Sequence, residues 1–449
     1  MTRVHARSAG TRSGRTFESL HVASFRRLWL AGVAQFSAIA MESIARGYLA
    51  FELTGRNAAL GVTLLAMGIP MLLLTPIGGV AADRFAKRTV LVVASGLLLG
   101  SSVAVAIAVV TGVLAFWMLV AGSVVQGVAY SLLAPARVAF SYELVGRERL
   151  GNAILLAQLA MNGTRVVGPA LAGLVLGTSW LGADAVYVAT VVLFALSFGF
   201  TLGLPRGVVR ANRPSASPWD ELRAGVRYVR REPPVLWPVL MAIGMMATAF
   251  PYVAFLPSLV DEVFAEGPGW LGVLSTVSAV GAMGVSLIVA RIGTDRLGDS
   301  AVAAVAVLFA LSVLALGLAP TIVVATVGVL VAGAGNAAFQ ALNNSVVLMR
   351  SRDEFHGRVQ SLLMLGWSAF GIFAFPLGAV ADAVGLRATL VGMGAVSLVI
   401  AAALHVQVRR SARVTGLSPG TDRELDDRPR SPAGARRSSL PLRRRPFHR

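Results

Sequence analysis

Cysteine is absent from the 449 residues, which excludes disulfide frameworks, thiolate metal sites and cysteine nucleophiles together. Histidine is nearly as scarce. The five, at 5, 21, 356, 405 and 448, lie near ends and connections and never cluster, so no metal and no cofactor is expected. No Gly-rich loop leads into Lys-Ser/Thr, which argues against ATP-driven work. Nor does any Ser/His/Asp set or carboxylate pair at one depth point to an enzyme. Charge is thin as well: 14% of residues are charged against 56% hydrophobic, and mean hydropathy is +0.72. That balance excludes an ordinary soluble protein. Negative charge is in short supply, with 22 Asp+Glu against 40 Lys+Arg, a formal net charge of +18. In a soluble chain such an excess would suggest nucleic acid, so its location matters.

Long apolar runs are what the sequence does have. A bilayer core needs about 20 apolar residues per helix, and twelve runs qualify: 28–51, 58–81, 89–110, 116–139, 152–176, 183–204, 235–260, 270–292, 301–318, 321–349, 359–384 and 388–408. Residues 1–21 are Arg- and Ser-rich with no apolar centre, unlike a signal peptide. If residues 1–27 are cytoplasmic, 36 of the 40 Lys+Arg fall in or at the edge of inside segments, against Arg56 and Arg387 outside. This bias predicts that both termini are cytoplasmic in a multi-pass protein of the bacterial inner membrane. The basic residues then meet anionic lipid rather than nucleic acid.

The expected organisation is a six-helix half over 28–204, a cytoplasmic linker over 205–234, a second six-helix half over 235–408 and a basic, Pro- and Ser-containing tail over 409–449 of disordered composition. In the linker, Trp219, Leu222, Val226 and Val229 recur at helical spacing away from Arg223, Arg227 and Arg230, predicting an amphipathic helix on the membrane surface. Asp83-Arg84 recurs as Asp295-Arg296, 212 residues later, and Pro169 as Pro376, 207 residues later. Similar offsets at two independent landmarks support duplicated halves, a transporter signature.

The segment Gly79-Val-Ala-Ala-Asp-Arg-Phe-Ala-Lys-Arg88 resembles the cytoplasmic signature of the major facilitator superfamily, with Ala86 where a Gly is usual. Gly79 admits a close helix, Asp83 can accept from a helix N-terminus, and Arg84 and Arg88 can pair with carboxylates or lipid phosphate. With the weaker copy at Asp295 and Arg296, these residues are the expected cytoplasmic gate, although Lys87 and Arg88 also fit simple positive-inside anchors. Gly163, Gly168, Pro169 and Gly173 in span five resemble the Gly-Pro motif of the superfamily's antiporters. Together with Phe51–Gly55, Glu143–Asn152 and Gly357-Arg-Val359, the chain from 25 to 408 is closest to the exporter branch of enterobactin-type and macrolide-type efflux proteins. The resemblance implies an all-α fold of twelve transmembrane helices, alternating access and a small-molecule substrate. It also shows a departure, because Ser123 stands where many drug/proton antiporters carry an Arg before Gln126-Gly127.

Charge inside the membrane is expensive and points to function. Glu42, Arg46 and Arg165 stand out. Glu42 falls roughly 4 Å from the midplane of span one by helical rise, with Arg46 at i+4 on the same face. Two readings remain open: Glu42 as a protonation site tuned by Arg46 or Arg165, or a permanent Glu42–Arg46 ion pair that only holds the helix. Gln35, Gln126, Gln158, Asn162, Asn336, Gln340, Asn343 and Asn344 are candidate cavity residues, some of them serving helix contacts instead. Pro251 and Pro257, with Pro238, predict a bent gating helix in span seven, as Gly168 and Pro169 do in span five. The sequence thus predicts a monomeric secondary active transporter that exports a small amphiphile (drug, siderophore or secondary metabolite) by proton antiport. A lipid flippase or uncoupled facilitator, and a transport-inactive sensor or scaffold, are the alternatives.

Overall fold

The computed structural model describes residues 18–178, 182–206, 218–292, 299–352 and 355–414. Among these, helices account for nearly everything. In the first half run α1 (Ala23–Thr54), α2 (Asn57–Arg84), α3 (Lys87–Val110), α4 (Phe116–Leu176) and α5 (Gly182–Leu202). A connecting helix α6 (Pro218–Arg231) leads to α7 (Pro233–Thr248) and a short α8 (Leu256–Ser258). The second half continues with α9 (Gly269–Ile292), α10 (Asp299–Leu318), α11 (Ile322–Arg350), α12 (His356–Val384) and α13 (Leu386–Val414).

Ten helices among the described residues are long and apolar enough to cross a membrane. The second arm of α4 and the apolar end of α12 (Phe370–Val384) supply the other two crossings. This is the twelve-helix, all-α membrane architecture expected. α4 counts twice because it bends at Gly146, whose φ of 73° and ψ of 176° suit only glycine. Lys87, at the start of α3, ties that elbow through a 3.0 Å bond to Glu143. It is buried, so it is a structural tie and not a free surface anchor.

After Thr248 the chain of α7 changes geometry, passing through a 3-10 segment Phe250–Phe255 and a π turn Leu259–Val263. Pro251 and Pro257 begin the irregular turns, since neither can donate a backbone bond. Pro238 likewise cannot serve the carbonyl of Pro234, which accepts instead from Arg350 Nη1 at 3.3 Å. The connecting helix departs from expectation. Rather than resting only on the membrane surface, α6 packs Tyr228 and Val229 against Val235, Val347 and Val359. Tyr228 stacks on Phe355 at 4.0 Å, and its hydroxyl accepts from Arg352 N at 3.0 Å.

The halves dock through bare backbone at the end that carries few basic residues, the outer end by the positive-inside rule. A Cβ on Gly173 of α4 would stand 1.8 Å from Gly272 Cα of α9, and one on Gly61 of α2 would stand 2.3 Å from Phe375 Cα of α12. At the cytoplasmic end α6 touches α2.

Candidate functional site

A polar seam runs along the contact between α1 and the first arm of α4. Helical spacing puts Gln35, Glu42 and Arg46 on one stripe of α1, and Ser123, Gln126, Tyr130 and Arg137 on one stripe of α4. At its outer part Arg46 Nη2 donates to Glu42 Oε1, while Nη1 donates to Gln126 Oε1 at 2.7 Å and to Ser123 Oγ at 3.1 Å. Glu42 is 3% exposed and Arg46 7%, so both charges sit away from solvent. The Tyr187 hydroxyl of α5 is buried beside the guanidinium without a well-formed hydrogen bond. The structure therefore joins the Glu42–Arg46 pair with Gln126, and the head of Arg46 reaches Ser123.

About 10 Å further along α1, by helical rise, Arg137 Nη2 donates to Gln35 Oε1. The Arg137 guanidinium lies 5.1 Å from the centre of the Phe36 ring. The span expected at 116–139 leaves Arg137 two residues from its inner edge. The first arm of α4 instead continues to Gly146, which places Arg137 more than two turns within the helix.

Of the expected gate, Arg88 Nη2 donates to Leu202 O at 2.6 Å, capping α5 within its own half, and Arg84 is exposed. Gly79 has open space around a would-be Cβ. The side chains of Asp83, Gln158, Asn162 and Arg165, and all of Asp295 and Arg296, lie outside the described residues. Sequence reading missed a latch at the outer end. Asp382 of α12 accepts from the backbone N–H of Asn57 at 2.6 Å and of Ala58 at 3.0 Å, capping α2 of the other half. Arg56, the residue at that helix start, supplies no side-chain cap. Asn57 Nδ2 then donates to Glu262 Oε2 at 3.0 Å. An Asp near one helix end and an uncapped start elsewhere were the available signals, but nothing in the sequence joins them.

In the second half, Gln340 Nε2 donates to Asn336 Oδ1 at 3.0 Å and Asn343 Nδ2 to Pro238 O at 3.2 Å. Asn343 thus ties α11 to α7. Gly168 packs on α1, where its Cβ would meet Ala40 Cβ at 2.6 Å, and Pro169 follows it inside α4.

Residues 15–418 match the family described as transmembrane secretion effectors of the MFS type. The chain belongs to that family. Relatives include YfiS, an uncharacterized MFS-type transporter of Bacillus subtilis (strain 168), 25% identical over 203 residues, 43% of this chain and 46% of YfiS. The staphyloferrin A transporter of Staphylococcus aureus (strain NCTC 8325 / PS 47) is 22% identical over 241 residues, 53% of this chain and 60% of that one. Enterobactin exporter EntS of Shigella flexneri is 25% identical over 58% of this chain and 68% of EntS. The chain thus aligns with about half of YfiS and three fifths of the staphyloferrin A transporter. Among solved structures, a bacterial homolog of the human lysosomal transporter Spinster, inward-facing and unoccupied, superposes with a TM-score of 0.70 at 14% identity, over 90% of this chain and 98% of that one. A bacterial homologue of the iron transporter ferroportin, in an inward-facing state, gives 0.66 at 15%, over 88% and 99%. At such identities the likeness is one of fold. The family is one of multi-pass membrane transporters, not enzymes.

Proposed function

We propose that the protein is a secondary active exporter of the bacterial inner membrane, which moves a small amphiphile outward by alternating access in exchange for protons. The observation that carries this reading is the buried Glu42–Arg46–Gln126–Ser123 cluster. A buried ion pair is costly to break by removing one partner. Here Arg46 already holds two neutral acceptors, so Glu42 can take a proton without stranding the guanidinium. A motion of α1 against α4 in which Ser123 and Gln126 draw the Arg46 head away from Glu42 then favours proton uptake, and the reverse motion favours release.

Closely docked outer ends leave the cytoplasmic side as the entrance, as an exporter loading from the cell requires. Names of relatives that handle siderophores favour a siderophore or similar metabolite over a simple nutrient. Protons and anionic lipids are the remaining partners, and the monomer is the working unit.

The test is transport in proteoliposomes with an imposed pH gradient, comparing wild type with Glu42→Gln. Proton-driven accumulation against a gradient is expected to vanish in the variant while facilitated flux persists. Unchanged pH-driven accumulation would remove Glu42 from the coupling mechanism.

A further inference from the structure

Among the described residues the fully buried charges of the membrane helices are matched, Glu42 with Arg46 and Lys87 with Glu143, while Arg137 is partly buried. Arg137 is different. Among the described residues no carboxylate lies within ion-pair distance of it. Its one hydrogen-bond acceptor is the neutral amide of Gln35, and its Nε is buried with no acceptor at all. The second arm of the guanidinium, Nη1, rests on bare helix, because a Cβ on Gly32 would come within 2.9 Å of it. Gln35 Nε2 is also buried without a partner. Two amide-type donors with unused N–H groups therefore stand side by side between α1 and α4.

The direction of the side chain argues against the simplest explanation. Nine residues separate Arg137 from the end of its arm at Gly146, about 13 Å along the axis. The side chain turns to Phe36 and Gln35 rather than toward the end of the helix, so it is not a snorkelling interfacial arginine. A guanidinium cannot shed its proton to escape the cost. Water reaching the exposed part of the side chain offsets some of that cost, and a negative charge brought from outside the chain would offset more.

We propose that Arg137, with Gln35 beside it, binds the anionic group of the exported molecule: a carboxylate, sulfonate, phenolate or phosphate carried on an apolar body. The inference rests on the exporter reading above and narrows it to anionic amphiphiles. Arg137 lies nearer the cytoplasmic end than Glu42, so a substrate loading from inside meets its counter-charge before the proton site.

The experiment uses the full chain in phosphatidylcholine liposomes with three probes: anionic 8-anilinonaphthalene-1-sulfonate, neutral N-phenyl-1-naphthylamine and cationic ethidium. Binding is read from the ligand-induced rise in melting temperature and from tryptophan quenching, and export from probe fluorescence. Arg137→Gln is expected to weaken the sulfonate by about tenfold or more, the loss of one charge-assisted site, and to change the neutral probe less than twofold. Arg137→Lys should fall between them, because it keeps the charge and loses the fork. Equal sulfonate affinity in Arg137→Gln, or a wild type that prefers ethidium, would overturn the proposal. If Arg137→Gln does not fold, the probe ranking of wild type and of Gln35→Leu decides in its place. Replacing part of the phosphatidylcholine by phosphatidylglycerol tests the lipid source: an Arg137-dependent stabilisation by that lipid, without one by the sulfonate, assigns the site to a lipid headgroup. If no probe is exported but the sulfonate still binds through Arg137, the exporter reading fails and the anion site stands.

Discussion

Asp382 offers the sharpest test of how the two halves separate. Its carboxylate takes both backbone donors at the start of α2, at 2.6 and 3.0 Å, across the gap between the halves. Capping of this kind contributes about 0.5–2 kcal/mol, and the positive end of the helix dipole adds to it. Asp382 is exposed, so solvent screening holds the value to about 1.5 kcal/mol. Asp382→Ala should then raise the population with the outer ends apart roughly tenfold. Ala58, whose Cα lies 2.9 Å from where a Cβ on Gly378 of the other half would stand, reports that population when replaced by Cys, which is then the sole thiol in this chain. Its alkylation rate by a membrane-impermeant maleimide added from outside scales with the open fraction. A tenfold faster reaction is expected in Asp382→Ala, a small change in Asp382→Asn, which keeps one acceptor, and less than threefold in Glu262→Ala. Equal rates in wild type and Asp382→Ala would refute the latch and the arithmetic behind it.

Other consequences are equally concrete. Arg46→Lys cannot hold Glu42, Ser123 and Gln126 at once, so coupled transport should fall about tenfold while uncoupled flux remains; equal coupling ratios in the two proteins would argue against the shared head group. Gly146→Ala forces a side chain into a backbone region suited to glycine at about 1–3 kcal/mol, which for a chain of this size predicts a melting temperature lower by about 1–3 °C in a thermal scan in detergent. Removing 411–449 should leave most transport intact, and loss of activity would move weight to a scaffold role for the basic tail.

How much of this could be read from the sequence depends on range. The spans follow from apolar runs alone, and the Glu42–Arg46 contact from a four-residue spacing. What the sequence could not convey was contact at distance: Asp382 meets Asn57 across 325 residues, and Arg46 meets Gln126 across 80. Arg137 was misplaced for a different reason. Hydropathy ends a span where polar residues begin, yet α4 stays helical through Ser141, Tyr142 and Glu143 to its glycine bend, so a charge that looked peripheral lies within the helix. For α6 the periodicity identified an amphipathic helix correctly, but an apolar stripe does not say whether lipid or protein covers it, and Tyr228 shows that protein covers at least part.

The docking of the halves through Gly61, Gly173, Gly272, Gly371 and Gly378 separates two tasks. Closing the outer door depends mainly on main chain meeting main chain, secured by the Asp382 cap on α2. Recognition of cargo, in the proposal made above, belongs to the seam between α1 and α4, which is built from side chains. Cargo specificity can therefore drift by changes along the seam without disturbing the seal, whereas a single methyl group at Gly173 would prop the door open for every cargo alike.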